Sequence, residues 1–192
     1  MAIYLRNVNE SDKEDILHWR NDPVTREMSI TSEVVTSEEH AAWFQKLLEN
    51  PNQFGFIAVV SETENFQHGN KIDARSAYFK DNLVASETES FQRVIKSARS
   101  AYFSQKIGFV RMDRLYGTTF EININVAPEK RGHGFGTLII KESCQKMVTE
   151  NGAQQFFARI KSKNERSLKS FLKVGFLQVD VIDEMFILRF TL

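Results

Sequence analysis

Glu121-Ile122-Asn123-Ile124-Asn125-Val126, Ala127-Pro128-Glu129-Lys130 and Arg131-Gly132-His133-Gly134-Phe135-Gly136 form one unbroken stretch. An alternating apolar strand runs into a turn with glycine at every second position, and a helix-like segment, Thr137 to Glu150, follows at once. This layout lines up free backbone N–H groups at a helix N-terminus, where the helix dipole is positive. The natural guest is an anion, foremost a phosphate. The competing reading is a plain connector, since glycine also serves turns that bind nothing. Two nucleotide motifs are excluded. No Gly-Lys-Ser/Thr closes the turn as a P-loop requires, and the glycine spacing and lack of a βαβ repeat rule out the dinucleotide fingerprint.

Working outward, Ile3 to Val8 alternates like a first strand, and Asn9 to Asp12 offers N-caps for a helix carrying Ile16, Leu17 and Trp19 that ends near Asn21-Asp22-Pro23. Thr36 or Ser37 caps a second helix from Ser37 to Leu48, with Ala41, Phe44, Leu47 and Leu48 on its apolar stripe. Phe54 to Val60, Ile107 to Met112 and Phe120 to Val126 read as buried strands. The last two form an antiparallel hairpin across a polar connection, Asp113 to Thr118. Gln154 to Ile160 is a fifth strand, Asn164 to Val174 a short helix, and Phe176 to Val181 with Met185 to Phe190 a closing pair. The sum is an α/β protein of the α+β kind, a mixed sheet with helices packed on it.

One region departs from that plan. Ser61-Glu62-Thr63-Glu64-Asn65-Phe66-Gln67 recurs as Ser86-Glu87-Thr88-Glu89-Ser90-Phe91-Gln92, and Ala74 to Phe79 recurs as Ala98 to Phe103. This tandem duplication stands where a hairpin turn would suffice. The second copy is the better helix, with a capping box at Ser86 and Glu89 and one apolar face of Phe91, Val94, Ile95, Ala98 and Tyr102. Residues 1–192 therefore read as a single domain, with Ser61 to Gln105 an inserted excursion in the connection between strands 2 and 3. The amphipathic copy needs a surface: the parent domain, the other copy, or a second subunit in a homodimer. A mobile spacer is the alternative.

With 42% apolar and 26% charged residues, the chain reads as a soluble globular protein. Lys+Arg and Asp+Glu are 25 each, which removes any global attraction to nucleic acid or an anionic membrane. Cys144 is the single cysteine, so no internal disulfide forms and a reducing cytoplasm suits it; its apolar neighbours favour a packed thiol over a nucleophile. No signal peptide opens the chain and no apolar run approaches the roughly 20 residues of a membrane span. The four histidines and one cysteine show no metal-ligand spacing. A cytoplasmic, metal-free protein is expected.

Val126 to Gly136 resembles the acetyl-CoA pyrophosphate loop of the GNAT N-acetyltransferase superfamily, Arg/Gln-x-x-Gly-x-Gly/Ala after a strand ending in Val-x-Pro; Arg131, Gly134 and Gly136 fall on its defining positions. Asn164-x-x-Ser167-x-x-x-Phe171-x-x-x-Gly175-Phe176 matches a second pattern of that superfamily, except that Phe171 stands where relatives often carry an acid Tyr. Trp19-Arg20-Asn21-Asp22-Pro23 with Arg26, and Glu38-Glu39-His40-Ala41-Ala42-Trp43-Phe44, resemble paired motifs of nucleotide-sugar N-acetyltransferases. That likeness is strongest to enzymes acting on UDP-linked 4-amino sugars in pseudaminic acid biosynthesis. It covers residues 3–60 and 106–190 and skips the insert.

The resemblance implies the GNAT fold, acetyl-CoA as co-substrate, and acetylation of the amine of a UDP-4-amino-4,6-dideoxy sugar by direct attack on the thioester. It implies that pantetheine pairs with the strand end Ile124, Asn125 and Val126, and that the pyrophosphate sits on Arg131, Gly132, His133, Gly134, Phe135 and Gly136. Asn164 would cap its helix or bond the pantetheine region. Glu121 is the first candidate base and shares a strand face with Asn123 beside it and with Asn125; the alternative is that these side chains bond neighbouring loops. No acid is assigned, because Phe171 cannot donate a proton.

For an anionic amine substrate, Arg20 and Arg26 could meet phosphates, Trp19 or Trp43 could stack on a base or sugar, His40 could read a hydroxyl, and Asn21 lies between them. Core packing is the competing account of both tryptophans, and a structural role that of His40. Two other functions stay open: acetylation of a protein N-terminus, as by ribosomal-protein acetyltransferases, and acetyl-CoA binding without turnover. A polyamine acceptor fits less well beside two arginines. Deleting one repeat copy should leave a folded, soluble domain, read by circular dichroism; loss of soluble protein would make both copies integral.

Overall fold

A hairpin carries the centre of the molecule. The computed structural model describes residues 3–61 and 104–192. The two repeat copies at 62–103 lie outside the described residues, while Ser61 closes one strand and Ser104 opens the next. That hairpin is β3 (Ser104–Tyr116) with β4 (Thr119–Val126), antiparallel from Gly108↔Val126 to Tyr116↔Thr119. Around it stand β1 (Ile3–Asn7), α1 (Lys13–Asn21), α2 (Pro23–Met28), α3 (Ser37–Glu49), β2 (Gln53–Ser61), α4 (Phe135–Asn151), β5 (Gln155–Lys161), α5 (Glu165–Val174), β6 (Leu177–Ile182) and β7 (Met185–Thr191). The strands make one mixed sheet in the order β1-β2-β3-β4-β5-β7-β6. β4 and β5 are parallel, whereas β7 is antiparallel to both β5 and β6.

The sheet is covered on both sides, which is why β2 and the Ile107–Met112 part of β3 read as nearly continuous apolar runs, whereas β4 alternates because its Glu121-Asn123-Asn125 face is polar. On one side, Ile16 and Trp19 of α1 and Phe44 and Leu47 of α3 pack with Ile57, Val59, Phe109 and Ala127. On the other, α4 brings Ile139, Ile140 and Met147, all fully buried, toward Phe120 and Ile122. There Phe171 of α5 meets Phe176 edge-on at 4.9 Å, and Phe176 stacks on Phe190 at 5.4 Å. Cys144 is buried on α4, and burial pushes its thiol up to about 12, so it is inert as a nucleophile. Among the described residues no helix is long and apolar enough to cross a membrane.

Two local readings are corrected. Asp113 to Tyr116, expected as connection, continues β3, and only Gly117 and Thr118 turn the chain. These polar residues hold a strand because the hairpin partner supplies its ladder, Asp113↔Glu121 and Arg114↔Phe120, and because Arg114 lies 4.8 Å above the Phe120 ring. After α1 the chain forms a further helix, α2, where the sequence suggested only a stop. Pro23 occupies its first turn, where its missing N–H is harmless, and Asp22 caps it by accepting from the Thr25 N–H at 2.9 Å. β6 ends the sheet order, and its register against β7 shifts between Gln178 and Asp180.

A buried carboxylate joins the N-terminal elements to the sheet. Asp12 is 0% exposed and takes two bonds from Arg6 at 2.7 Å, one from Lys106 at 2.8 Å, and the Asn9 N–H at 3.0 Å. Burial alone would raise its pKa, but the bonds from Arg6 and Lys106 outweigh it and hold the carboxyl down at about 2. Stability from this group is therefore fully present above the ordinary carboxylate range. It is lost as pH falls from about 4 through about 2. Asp12→Asn should cost roughly 1–3 kcal/mol in urea unfolding at neutral pH, since Arg6 and Lys106 are part-exposed and can be solvated, and flatten that acid limb; an unchanged midpoint would show the pairing contributes nothing.

Candidate active site

The parallel ladder between β4 and β5 is short. It joins Thr119 to Gln155, Phe120 to Phe156 and Glu121 to Phe157, and there it stops, although β4 continues to Val126 and β5 to Lys161. The strands part like a fork. Ile124, Asn125 and Val126 lie on the β4 arm and are half-buried, where Thr119 to Ile122 below them are buried. An unpaired strand edge can accept an extended, amide-bearing ligand in place of a strand.

At the tip of that arm the chain makes a single 3-10 turn, Pro128–Lys130, and enters the glycine loop. Gly132 and Gly134 have φ of 83° and 81°, in the left-handed region, and a Cβ on either would meet nothing within 4 Å. Space is therefore open over the loop, and the backbone takes a shape that suits glycine. Gly134 is the N-cap of α4 and offers no side-chain cap, so the first N–H groups of a long helix face that space. Phe135 is buried beneath the loop and His133 is exposed. Gly136 is where α4 meets α5, since a Cβ there would come within 3.5 Å of Ser170 Oγ. Open N–H groups, positive φ and a bare helix N-terminus fit a pyrophosphate.

Arg131 opens the loop, but its guanidinium turns to the helices. It donates to Asp22 Oδ2 at 2.7 Å and to Thr25 Oγ1 at 2.5 Å, and Thr25 Oγ1 lies 3.4 Å from Asn125 Oδ1. Burial works against the charge on Asp22, but the Thr25 N–H and Arg131 hold its carboxyl below the ordinary range.

Below the fork, the sheet face beneath α1 carries a polar lattice. Glu121, 8% exposed, takes both Arg159 Nε at 2.8 Å and Arg159 Nη2 at 3.3 Å. That bond and the charge of Glu121 raise the Arg159 pKa further. Asn123 donates to Asp113 Oδ2 at 3.3 Å, and Asp113 also takes Arg111 at 2.9 Å and Gln53 at 2.7 Å. Glu121, Asn123 and Asn125 thus share one face, as alternation required. Arg159 and Asp113 escaped the sequence reading, because placing them beside Glu121 needs the pairing registers.

The helices on this side hold the remaining residues. Trp19 is 4% exposed and belongs to the core, with the partly buried Trp43 packed against that cluster. His40 is 2% exposed, its ring tilted against Trp43 at 5.1 Å and Phe44 at 6.0 Å, and both ring nitrogens lack a hydrogen-bond partner among the described residues. Burial pushes its pKa down. Asn21 pins the following loop through Val35, donating to its carbonyl at 2.8 Å and accepting from its N–H at 2.9 Å. Arg20 donates to the Thr31 carbonyl at 2.9 Å and hydroxyl at 3.0 Å, and Arg26 to the Ser32 carbonyl at 3.4 Å. Arg20 Nη1 and Arg26 Nε are buried without a partner among the described residues. Asn164 caps α5 through the Ser167 N–H at 3.1 Å.

The family model for the acetyltransferase (GNAT) domain matches residues 70–177, more than half of the chain. The chain belongs to this acetyltransferase family. It is a GNAT-type N-acetyltransferase that uses acetyl-CoA. Solved structures agree in fold. Spermidine N-acetyltransferase from Vibrio cholerae, in complex with CoA and spermine, has a TM-score of 0.71 at 13% identity, covering 98% of this chain and 95% of that one. A domain from Methanocaldococcus jannaschii gives 0.68 at 21%, over 100% and 99%. Campylobacter jejuni N-acetyltransferase PseH gives 0.60 at 14%, over 98% and 97%. At these identities the likeness is one of fold. No curated protein matches the acetyltransferase in sequence.

Gly134→Asp should weaken CoA binding by at least about tenfold in calorimetry, since it places a carboxylate over the helix N-terminus. The melting temperature should fall by roughly 2–8 °C, because Asp at φ 81° is strained although its added atoms meet open space, leaving the protein folded for the assay. Unchanged affinity would dismiss the loop as the phosphate cradle.

Proposed function

We propose that this acetyltransferase modifies the amino group of a nucleotide-linked amino sugar, of the UDP-4-amino-4,6-dideoxy type. The observation that carries the reading is the Arg20–Arg26 pair. Burial, and then the neighbouring charge of Arg26, lower the Arg20 pKa, and Glu33 opposes them only at a distance. Two neighbouring guanidinium groups, each with one buried donor unmet among the described residues, are a costly arrangement that a phosphate would relieve by charge-assisted bonds. A polyamine would add like charge to the same place.

Bound acetyl-CoA supplies an activated acetyl thioester, from which the acceptor nitrogen takes the acetyl group as the carbon–sulfur bond breaks. The protein's part is to hold, orient and move a proton. Backbone N–H groups of β4 beyond the ladder polarise the carbonyl. Glu121 has about four lone-pair sites, of which Arg159 occupies two. The others take a water that relays the amine proton. With its amide N–H held by Asp113, Asn123 offers its carbonyl oxygen as the acceptor for an amine N–H. Phe171 is buried in an aromatic cluster, so no side-chain acid is assigned and solvent protonates the thiolate.

A thiol-release assay with acetyl-CoA should give turnover with a UDP-4-amino sugar and far less with spermidine or peptides bearing a free N-terminus. Arg20→Ala and Arg26→Ala should each raise the sugar nucleotide KM by roughly tenfold or more with kcat nearly kept. Preference for spermidine or peptides, or an unmoved KM, would overturn the reading.

A further inference from the structure

α2 bridges the two arms of the fork. On the β4 side, Thr25 meets Asn125 and Arg131; on the β5 side, the Glu27 carbonyl takes Lys161 Nζ at 3.2 Å and its carboxylate takes Lys163 Nζ at 3.2 Å. The bond between the α1–α2 corner and the glycine loop, Asp22 to Arg131, joins residues 109 apart in sequence.

We infer that Asp22 and Arg131 are a positioning pair for the phosphate cradle, Arg131 acting through the backbone it anchors and not as a phosphate ligand. The inference rests on the assignment of the cradle to acetyl-CoA. Both charges are compensated. Arg131 gives one Nη1 N–H to Asp22 and one Nη2 N–H to Thr25, so two of its five donors hold it toward α2, and turning the guanidinium to a phosphate would break a 2.7 Å ion pair. Meanwhile the loop needs an anchor. Gly132 and Gly134 carry the conformational freedom of glycine, and the Arg131 N–H reaches the Pro128 carbonyl only at 3.4 Å. The guanidinium is the stronger tie, and it fixes the first residue of the cradle to α2. Asp22, on the acceptor side, thereby sets how well the loop N–H groups converge.

A double-mutant cycle on CoA affinity tests this, using Asp22→Asn, Arg131→Gln and the double variant in calorimetry, with melting curves on the same samples. Asn is as good an N-cap as Asp, so Asp22→Asn keeps α2 capped and removes only the charge. Each single variant should weaken CoA binding roughly fivefold to twentyfold, and the double variant no further. Three results overturn the pair: Asp22→Asn binding CoA as wild type whatever its melting temperature, additive effects, or an Arg131→Gln loss far beyond that of Asp22→Asn. The last would make Arg131 a direct phosphate contact. If Asp22→Asn melts below the assay temperature, Thr25→Val, which removes the second acceptor, carries the test with the same weakening expected. Gly134→Asp is the control. If it leaves CoA affinity intact, the cradle assignment fails; if it weakens binding while the pair variants do not, only the positioning inference fails.

Discussion

The parting of β4 from β5 after Glu121 is the constraint on which the rest depends. A parallel ladder of three residue pairs fixes the two strands at one end, and beyond Glu121 and Phe157 they no longer pair with each other. Everything chemical lies around that gap. The glycine loop tops one arm, the Lys161–Lys163 end tops the other, and α2 crosses from arm to arm. Aromatic packing of Phe120, Phe156, Phe176 and Phe190 on the far side of the sheet makes the closed end rigid, so the open end need not be held by strand pairing.

The two faces of the sheet have different energetics. The α4–α5 face is apolar and buried. The face beneath α1 and α3 is apolar at the Phe109 end and polar from Asn123 downward, where Arg111, Asp113, Glu121 and Arg159 neutralise one another in pairs. Such paired charges add little to stability, but they keep side chains ordered beside the fork without leaving a lone buried ion. Glu121 sits where that ordered face meets the last rung of the parallel ladder. A group so placed is set by two strands at once.

Much of this was legible in the chain. The strand, glycine turn and long helix from Glu121 onward carry their own geometry, because positive-φ glycines and a bare helix N-terminus are local properties. The capping box of α3 at Thr36 and Glu39 is local too. What stayed hidden is pairwise. Pro23 reads as a stop or a start depending on whether Asp22 turns its carboxylate forward. Asp113 looks like loop until Glu121 stands opposite it. Trp19 sits in a motif with Arg20, yet helical rotation sends one ring into the core and leaves the neighbouring guanidinium at the loop. Arg159 has no signal of its own, since only the register of β5 against β4 brings it to Glu121.

β6 closes the sheet with all six residues exposed, among them Leu177, Val179, Val181 and Ile182. An apolar strand at a sheet margin would ordinarily template the addition of further chains. Its shift of register at Val179 interrupts the straight row of donors and acceptors, and Asp180 puts a charge at the same point. Together they make the margin a poorer template for such addition than a straight, uncharged apolar strand would be.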